Sequence, residues 1–175
     1  MSEMQFGLAI RGEYEADQDA RQCFEDLVEQ AKFADRMGFA SITKTSHYST
    51  YPLQAFQQLP ILARLAGETE NLRLNAGIIL VSLHKPLDLA EQLATIDVMS
   101  GGRLIFGAAL GYREVELKAF GTNRKERVKR FEENLIALKR LWTEDAVDMV
   151  GSHFELDGAT CLPKPLQRPH PPIWI

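Results

Sequence analysis

Four apolar runs, MQFGLAI (4–10), FASITKT (39–45), LRLNAGIILV (72–81) and RLIFGAA (103–109), start 35, 33 and 31 residues apart. Each gap carries a helical pattern. Such spacing leaves room for one strand, one helix and two short turns, which is the crossover that parallel neighbours require. The runs lack strict polar alternation, as strands covered by helices do. A parallel α/β architecture therefore follows before any single residue is considered.

The intervening segments carry their own punctuation. Asp19 offers an N-cap with Gln22 three residues on. Phe24, Leu27, Val28, Ala31, Ala34 and Met37 then recur at helical spacing until Gly38 stops the helix. Residues 53–66 place Phe56, Leu59, Ala63 and Ala66 on one side, with Pro60 either kinking the helix or marking a late start. Pro86 suits the first turn of a helix to about Met99, with Leu89, Leu93 and Ile96 inward. The longest helix spans 124–142 with Val128, Phe131, Leu135, Leu138 and Trp142 inward, followed by a hairpin at 147–156, the proline-rich LPKPLQRPHPP and a final IWI.

Two parallel architectures remain, an open doubly wound sheet and part of a closed (β/α)8 TIM barrel. The sequence ends at Trp174-Ile175, inside what reads as a buried strand. That favours the barrel, with residues 1–175 as the N-terminal part of one truncated domain: four β/α units and the start of a fifth strand. Alone, such a piece is expected to associate or aggregate through its strand edges and apolar inner face, and to hold a ligand weakly or not at all.

Composition excludes several functions. With net charge −4 and no basic stripe, nucleic acid is not an expected partner. Lys118, Arg124, Lys125, Arg127, Lys129 and Arg130 are interleaved with Glu126, Glu132 and Glu133, which reads as a solvated helix face. No apolar run approaches the roughly 20 residues of a bilayer span, and no basic segment precedes the first apolar run. A cytoplasmic protein without membrane association is the expectation. Cys23 and Cys161 form no metal or redox motif.

Ligand sites of parallel sheets lie beyond the C-terminal strand ends, here Arg11–Tyr14, Thr45–Tyr51, Gly77–Leu83 and Ala109–Glu116. Gly107 and Gly111 do not form a dinucleotide fingerprint and no P-loop occurs. Close strand packing at Gly107 and a turn with positive φ at Gly111 are the plain readings, and a ligand-lining role is the alternative. His47, His84, His153 and His170 lack metal spacing, and the last two read as solvent-facing. His47 sits in a loop of hydroxyl and aromatic residues, where it can act as acid or base, donate to a cofactor, or cap the next helix. Glu114 and Glu116 are two apart and so fall on different helix faces, which gives no carboxylate pair.

The string LDLAEQLATIDVMSGGRLIFGAALGYREVELKAFG, then Arg127, Arg130, FEENLIALKRLW and PKPLQRPHPPIWI, resembles the bacterial-luciferase-like family of flavin-dependent oxidoreductases over residues 4–175. The resemblance implies a (β/α)8 barrel holding FMN, or F420 in some branches, at the C-terminal strand ends. It implies a monooxygenase that uses reduced FMN and O2 on a small organic substrate, supplied by a separate flavin reductase and assembled as a homodimer. An F420-dependent hydride-transfer oxidoreductase is the alternative, and a flavin-free relative acting only by association is a third. Gly77-Ile78 matches a non-prolyl cis peptide behind the flavin ring. His47 matches the family's catalytic histidine after the second strand, although Ser46 stands where an acidic residue or a second histidine is usual. Ala109, Leu110 and Gly111 match the flavin-lining end of the fourth strand, and Arg127 matches an arginine that helps hold the cofactor phosphate. The light-emitting branch carries cysteine and arginine at the positions of Ala109 and Leu110, so light emission is not implied.

Overall fold

The computed structural model of the chain describes residues 4–10, 12–45 and 47–175. Arg11 and Ser46, both singled out above, lie outside the described residues. In chain order come β1 (Gly7–Ile10), β2 (Glu13–Glu15), α1 (Ala20–Arg36), β3 (Ser41–Lys44), β4 (Leu53–Ala55), α2 (Gln58–Glu68) and β5 (Arg73–Leu80). A 3-10 turn (Val81–Leu83), α3 (Pro86–Met99), β6 (Leu104–Ala109), α4 (Glu114–Ala119), α5 (Arg127–Thr143), β7 (Val147–Val150), β8 (Glu155–Ala159) and β9 (Ile173–Trp174) follow.

The main sheet has the order β1-β3-β5-β6-β9 and every pair is parallel. Spatial order equals chain order. A doubly wound sheet reverses direction across its first strand, so this order excludes it. Helices α1, α2, α3 and α5 pack side by side in sequence. Together with Ile10, Ile42, Leu74, Ala76 and Phe106 from the strands they form one continuous core.

The opposite face of the sheet differs from the expected apolar surface. Period-2 alternation sends Gly7, Ser41, Thr43, Asn75 and Gly77 there. Asn75 Nδ2 donates to Thr43 Oγ1 at 3.0 Å, and Cβ atoms built on Gly7 and Gly77 would collide with Ser41 and with Thr43 and Asn75. On β1, β3 and β5 this inner face is small and largely polar, whereas Ile105 and Trp174 add apolar surface on the β6 and β9 side. The apolar residues of LRLNAGIILV mainly serve the helix side, so the expected apolar inner face holds only toward β6 and β9.

Local chemistry sets several boundaries. Asp19 caps α1 by accepting from the Gln22 N–H at 2.9 Å, and Gly38 leaves the helix with φ +79. Pro86 opens α3. The segment at 53–55 is not helical: β4 pairs antiparallel with β2, and α2 begins only at Gln58, with Pro60 in its first turn, where no intrahelical N–H is needed. The start of α5 also moves, from 124 to 127, because Asn123 Oδ1 accepts from the N–H groups of Lys125 and Glu126 and makes a turn there. Val128 is exposed, contrary to the expected inward position, while Arg130 and Asn134 are buried. Arg130 Nε donates to Ser82 O, and Asn134 Nδ2 donates to Val81 O and His84 O, so polar side chains satisfy the carbonyls of the turn after β5.

The proline-rich segment is fastened rather than loose. Buried Asp97 accepts from the N–H and Nε2 of Gln167, and Gln167 Nε2 also donates to Leu104 O. This sets β9 beside Phe106 and Gly107. His153 and His170 are not free in solvent: the first packs edge-on against Phe154, and the second lies 5.8 Å from Trp142. Among the described residues no helix is long and apolar enough to cross a membrane.

At the N-terminal end of the strands, Arg103 joins three elements. Its guanidinium donates to Ser100 O, Leu72 O, Ala66 O, Thr69 O and Thr69 Oγ1, closing the C-terminus of α2. Arg103→Met should lower unfolding stability by about 2–3 kcal/mol, since several carbonyls lose their donor at once. Urea unfolding checks this, and the loss should appear as a lower midpoint with an unchanged slope.

Candidate functional site

The C-terminal ends of β3, β5 and β6 are adjacent, and the expected site residues converge there. The register runs Lys44–Ala76–Phe106 across the three strands. Beyond it lie His47, the Gly77-Ile78 step and Ala109–Gly111.

Gly77-Ile78 is a non-prolyl cis peptide, as the resemblance implied. It falls where the β5–β6 register slips between Ala76 and Ile79. The slip turns the Ile78 side chain outward to 45% exposure, and the Ile78 carbonyl accepts from Gln58 Nε2 at 3.1 Å. Gly107 supplies the clearance opposite: a Cβ there would lie 2.5 Å from Ala76 O and 2.9 Å from Ile78 Cγ2. Close packing is thus the primary reason for glycine at 107. Gly111 has φ +76, a left-handed turn that favours glycine.

Ala109 and Tyr48 pack against the small cluster of Leu80, Leu83 and Leu117, whereas Leu110 leans on the main core and its carbonyl accepts from Ser82 Oγ at 2.7 Å. Arg127 turns inward: Nη1 donates to Gly111 O at 2.6 Å, and its Nε is buried without a partner. Arg124 pairs with Glu114 at 2.5 Å and Lys129 lies near Glu133. The basic run is therefore a solvated face only in part, because Arg127 and Arg130 both serve loop carbonyls.

His47 does not cap a helix. Its Nδ1 lies 3.0 Å from Glu116 Oε1, which also accepts from the Tyr48 N–H at 2.9 Å. Arg113 completes the cluster, donating to Tyr48 O at 2.7 Å, Ser49 O at 3.0 Å and Glu116 Oε1 at 3.3 Å. The Tyr112 ring meets His47 edge-on at 6.0 Å. Behind them Tyr48 and Phe120 pack at 4.5 Å with His84 beside both. Burial pushes the Tyr48 phenol up, with the Glu116 charge adding to it, and burial pushes His84 down, so the imidazole there stays neutral more readily.

Sequence reasoning missed Glu116, Arg113 and Gln58. The test applied to Glu116 looked for a second carboxylate two residues away, and none matters. The usable signal was an acidic residue three after Arg113 on a short helix, next to the buried Leu117.

Among the described residues no cluster of His, Cys, Asp and Glu could hold a metal ion. The residues present do suit a planar, partly apolar cofactor. The inner face near the strand ends is kept small by Thr43 and Gly77, Ile78 presents an exposed apolar side chain there, and Arg127, with a buried free Nε, holds the Gly111 carbonyl.

Lys44, at the end of β3, is fully buried on the helix side and donates to Thr45 O at 2.6 Å and Phe56 O at 3.0 Å. Burial pushes its ammonium down to about 8, against an opposing pull from Glu13. An unfolded lysine titrates near 10.4. Below pH about 8 both states hold the proton and stability does not change. Between about 8 and 10 the unfolded state binds more protons, so stability should rise with pH through that window. Chemical denaturation across this range should show the rise, and Lys44→Met should flatten it.

Comparison with known proteins adds a consistent picture. The family model described as luciferase-like monooxygenase matches residues 4–175. The oxygenase component of flavin-dependent trigonelline monooxygenase from Acinetobacter baylyi is 31% identical, over 98% of this chain and 48% of its own. The FMNH2-dependent dimethylsulfone monooxygenase of Pseudomonas putida is 36% identical over 82% of this chain and 41% of its own. The crystal structure of monooxygenase RslO1 from Streptomyces bottropensis superposes with a TM-score of 0.89 at 34% identity, covering 97% of this chain and 52% of that one. The chain spans about half the length of the curated relatives it matches.

Proposed function

This chain belongs to the luciferase-like monooxygenase family, and from that premise we propose that it is the flavin-facing part of a (β/α)8-barrel monooxygenase using reduced FMN and O2 to oxygenate a small organic substrate. In this reading the sheet β1-β3-β5-β6-β9 is one arc of the barrel and residues 1–175 are its N-terminal part. A separate reductase would deliver the reduced flavin, as the printed description of one relative as an oxygenase component suggests.

The observation that carries the reading is the strand-end surface where Ile78 stands exposed on β5, with the His47 loop and Ala109–Gly111 leaving the strands on either side of it. FMN bound there would supply the activation of O2, which no protein side chain provides. The chain's own residues would do the rest. Gly77 and Ile78 offer the ring an apolar backing, and Ala109, Leu110 and Gly111 line its edge with backbone polar groups. Arg127 keeps the Gly111 turn in place and has donors left for a phosphate. His47 is the residue we assign to catalysis, as an acid or base toward the substrate. Tyr48, Tyr112 and Phe120 would limit the entry of water, which reduced flavin chemistry requires.

Titration of a protein carrying the whole barrel with reduced FMN and reduced F420 tests the cofactor assignment. FMN should bind more tightly, and equal or reversed affinities would favour the hydride-transfer alternative. Arg127→Ala should weaken FMN by about 1.5–3 kcal/mol, the range for a hydrogen bond to a charged group. Riboflavin, which lacks the phosphate, should bind both forms alike. A parallel loss for riboflavin would mean that Arg127 only shapes the Gly111 turn.

A further inference from the structure

We propose that Glu116 is a positioning residue that fixes the tautomer and aim of His47, so that His47 presents Nε2 as a proton acceptor to the bound substrate. The reaction context rests on the flavin-dependent reading above. The geometry of the pair does not.

Glu116 is 1% exposed, and its Oε1 receives three donors from two different segments. An ionised carboxylate only accepts hydrogen bonds. A neutral His47 bonded to it at 3.0 Å through Nδ1 must therefore carry its proton on Nδ1 and its lone pair on Nε2. The ring edge bearing Nε2 points away from Glu116, and the side chain keeps 31% exposure at the strand ends. The loop that carries the ring is held in place. Gln57 Nε2 holds His47 O at 3.0 Å, Glu116 holds the next N–H, Arg113 holds the next two carbonyls, and Tyr112 lies against the ring.

The second carboxylate oxygen, Oε2, is buried and has no hydrogen-bond partner. A clamp for the loop alone would need one acceptor and no net charge, and a glutamine would serve. A buried carboxylate with spare acceptor capacity suits a histidine that becomes positively charged. When Nε2 takes a proton from an O–H, N–H or activated C–H of the substrate, the N–H bond forms and the electron pair stays on the substrate. The imidazolium is then paired with Glu116 until the proton passes to water. Arg113, 3.3 Å from Oε1, balances the carboxylate beforehand.

Nitrogen-15 labelling of histidine in the full chain tests this without flavin or substrate, with His47→Gln assigning the signal among the four histidines. Neutral His47 should show a protonated Nδ1 and a bare Nε2, with the Nδ1 proton far downfield as in a charge-assisted bond. Glu116→Gln should keep that tautomer but move the proton upfield. Glu116→Ala, if its circular dichroism remains native, should lose the Nδ1–H preference. A protonated Nε2 in the native protein would overturn the proposal, as would an unmoved Nδ1 proton in Glu116→Gln or an unchanged tautomer in folded Glu116→Ala. Failure of a protein carrying the whole barrel to bind FMN would overturn the functional reading and leave these spectra as they are.

Discussion

A parallel strand paired on both edges cannot leave its ladder without giving up backbone hydrogen bonds, and β5 is such a strand, held between β3 and β6. The slip at Gly77-Ile78 is the one place where it departs. Much of the candidate site depends on that departure. The freed Ile78 carbonyl needs a donor, and α2 begins where Gln58 can supply one. The Ile78 side chain needs clearance, and Gly107 on β6 gives it. Beyond the slip β5 re-pairs with β6 at Ile79 and Leu80, so the disruption stays local. A bulge that redirects one side chain and then restores the ladder is a common way for a sheet to build a site at its rim.

Loops at this rim bring many carbonyls with them, and the chain satisfies them with cations and amides turned inward. Arg113 serves Tyr48 and Ser49, Arg127 serves Gly111, Arg130 serves Ser82 and Gly121, and Asn134 serves Val81 and His84. The bonds to Tyr48, Ser49, Ser82, Val81 and His84 join one β/α unit to another, while those to Gly111 and Gly121 close the loops that follow β6. The rim is thus tied laterally, and the strands need not be long. At the opposite end Arg103 does the same for α2 and the start of β5. Long planar guanidinium groups suit this work because one group reaches several carbonyls in fixed directions.

What the sequence made legible were the features settled by local chemistry. Asp19, Gly38 and Pro86 act within four residues of themselves, and each does what its position implied. The parallel sheet followed from spacing, but spacing left a doubly wound and a barrel order both open, and it is the strand at Ile173–Trp174, pairing beyond β6, that matches the sequential order. The β2–β4 ribbon was not legible: two three-residue strands separated by a whole β/α unit have no periodicity to read. The inward face of α5 was misjudged for a physical reason. Arg130 and Asn134 are buried because carbonyls of another unit await them, which no apolar count reveals. Glu116 hid in the same way, since its partner His47 is 69 positions away.

The alternation of a single short strand finally separates stability from chemistry. In β3, Ile42 and Lys44 face the helices and Ser41 and Thr43 face the open side. Lys44 is three residues from His47, yet its ammonium is spent on Thr45 O and Phe56 O behind the sheet. A charge there costs stability but holds the exit of β3 in place, and it is the loop beyond that exit which carries His47 to Glu116. The buried cation and the partly exposed imidazole are therefore linked through backbone geometry. Loosening Lys44 would move the histidine through the loop, whereas altering Glu116 would change the histidine itself and leave the sheet behind it intact.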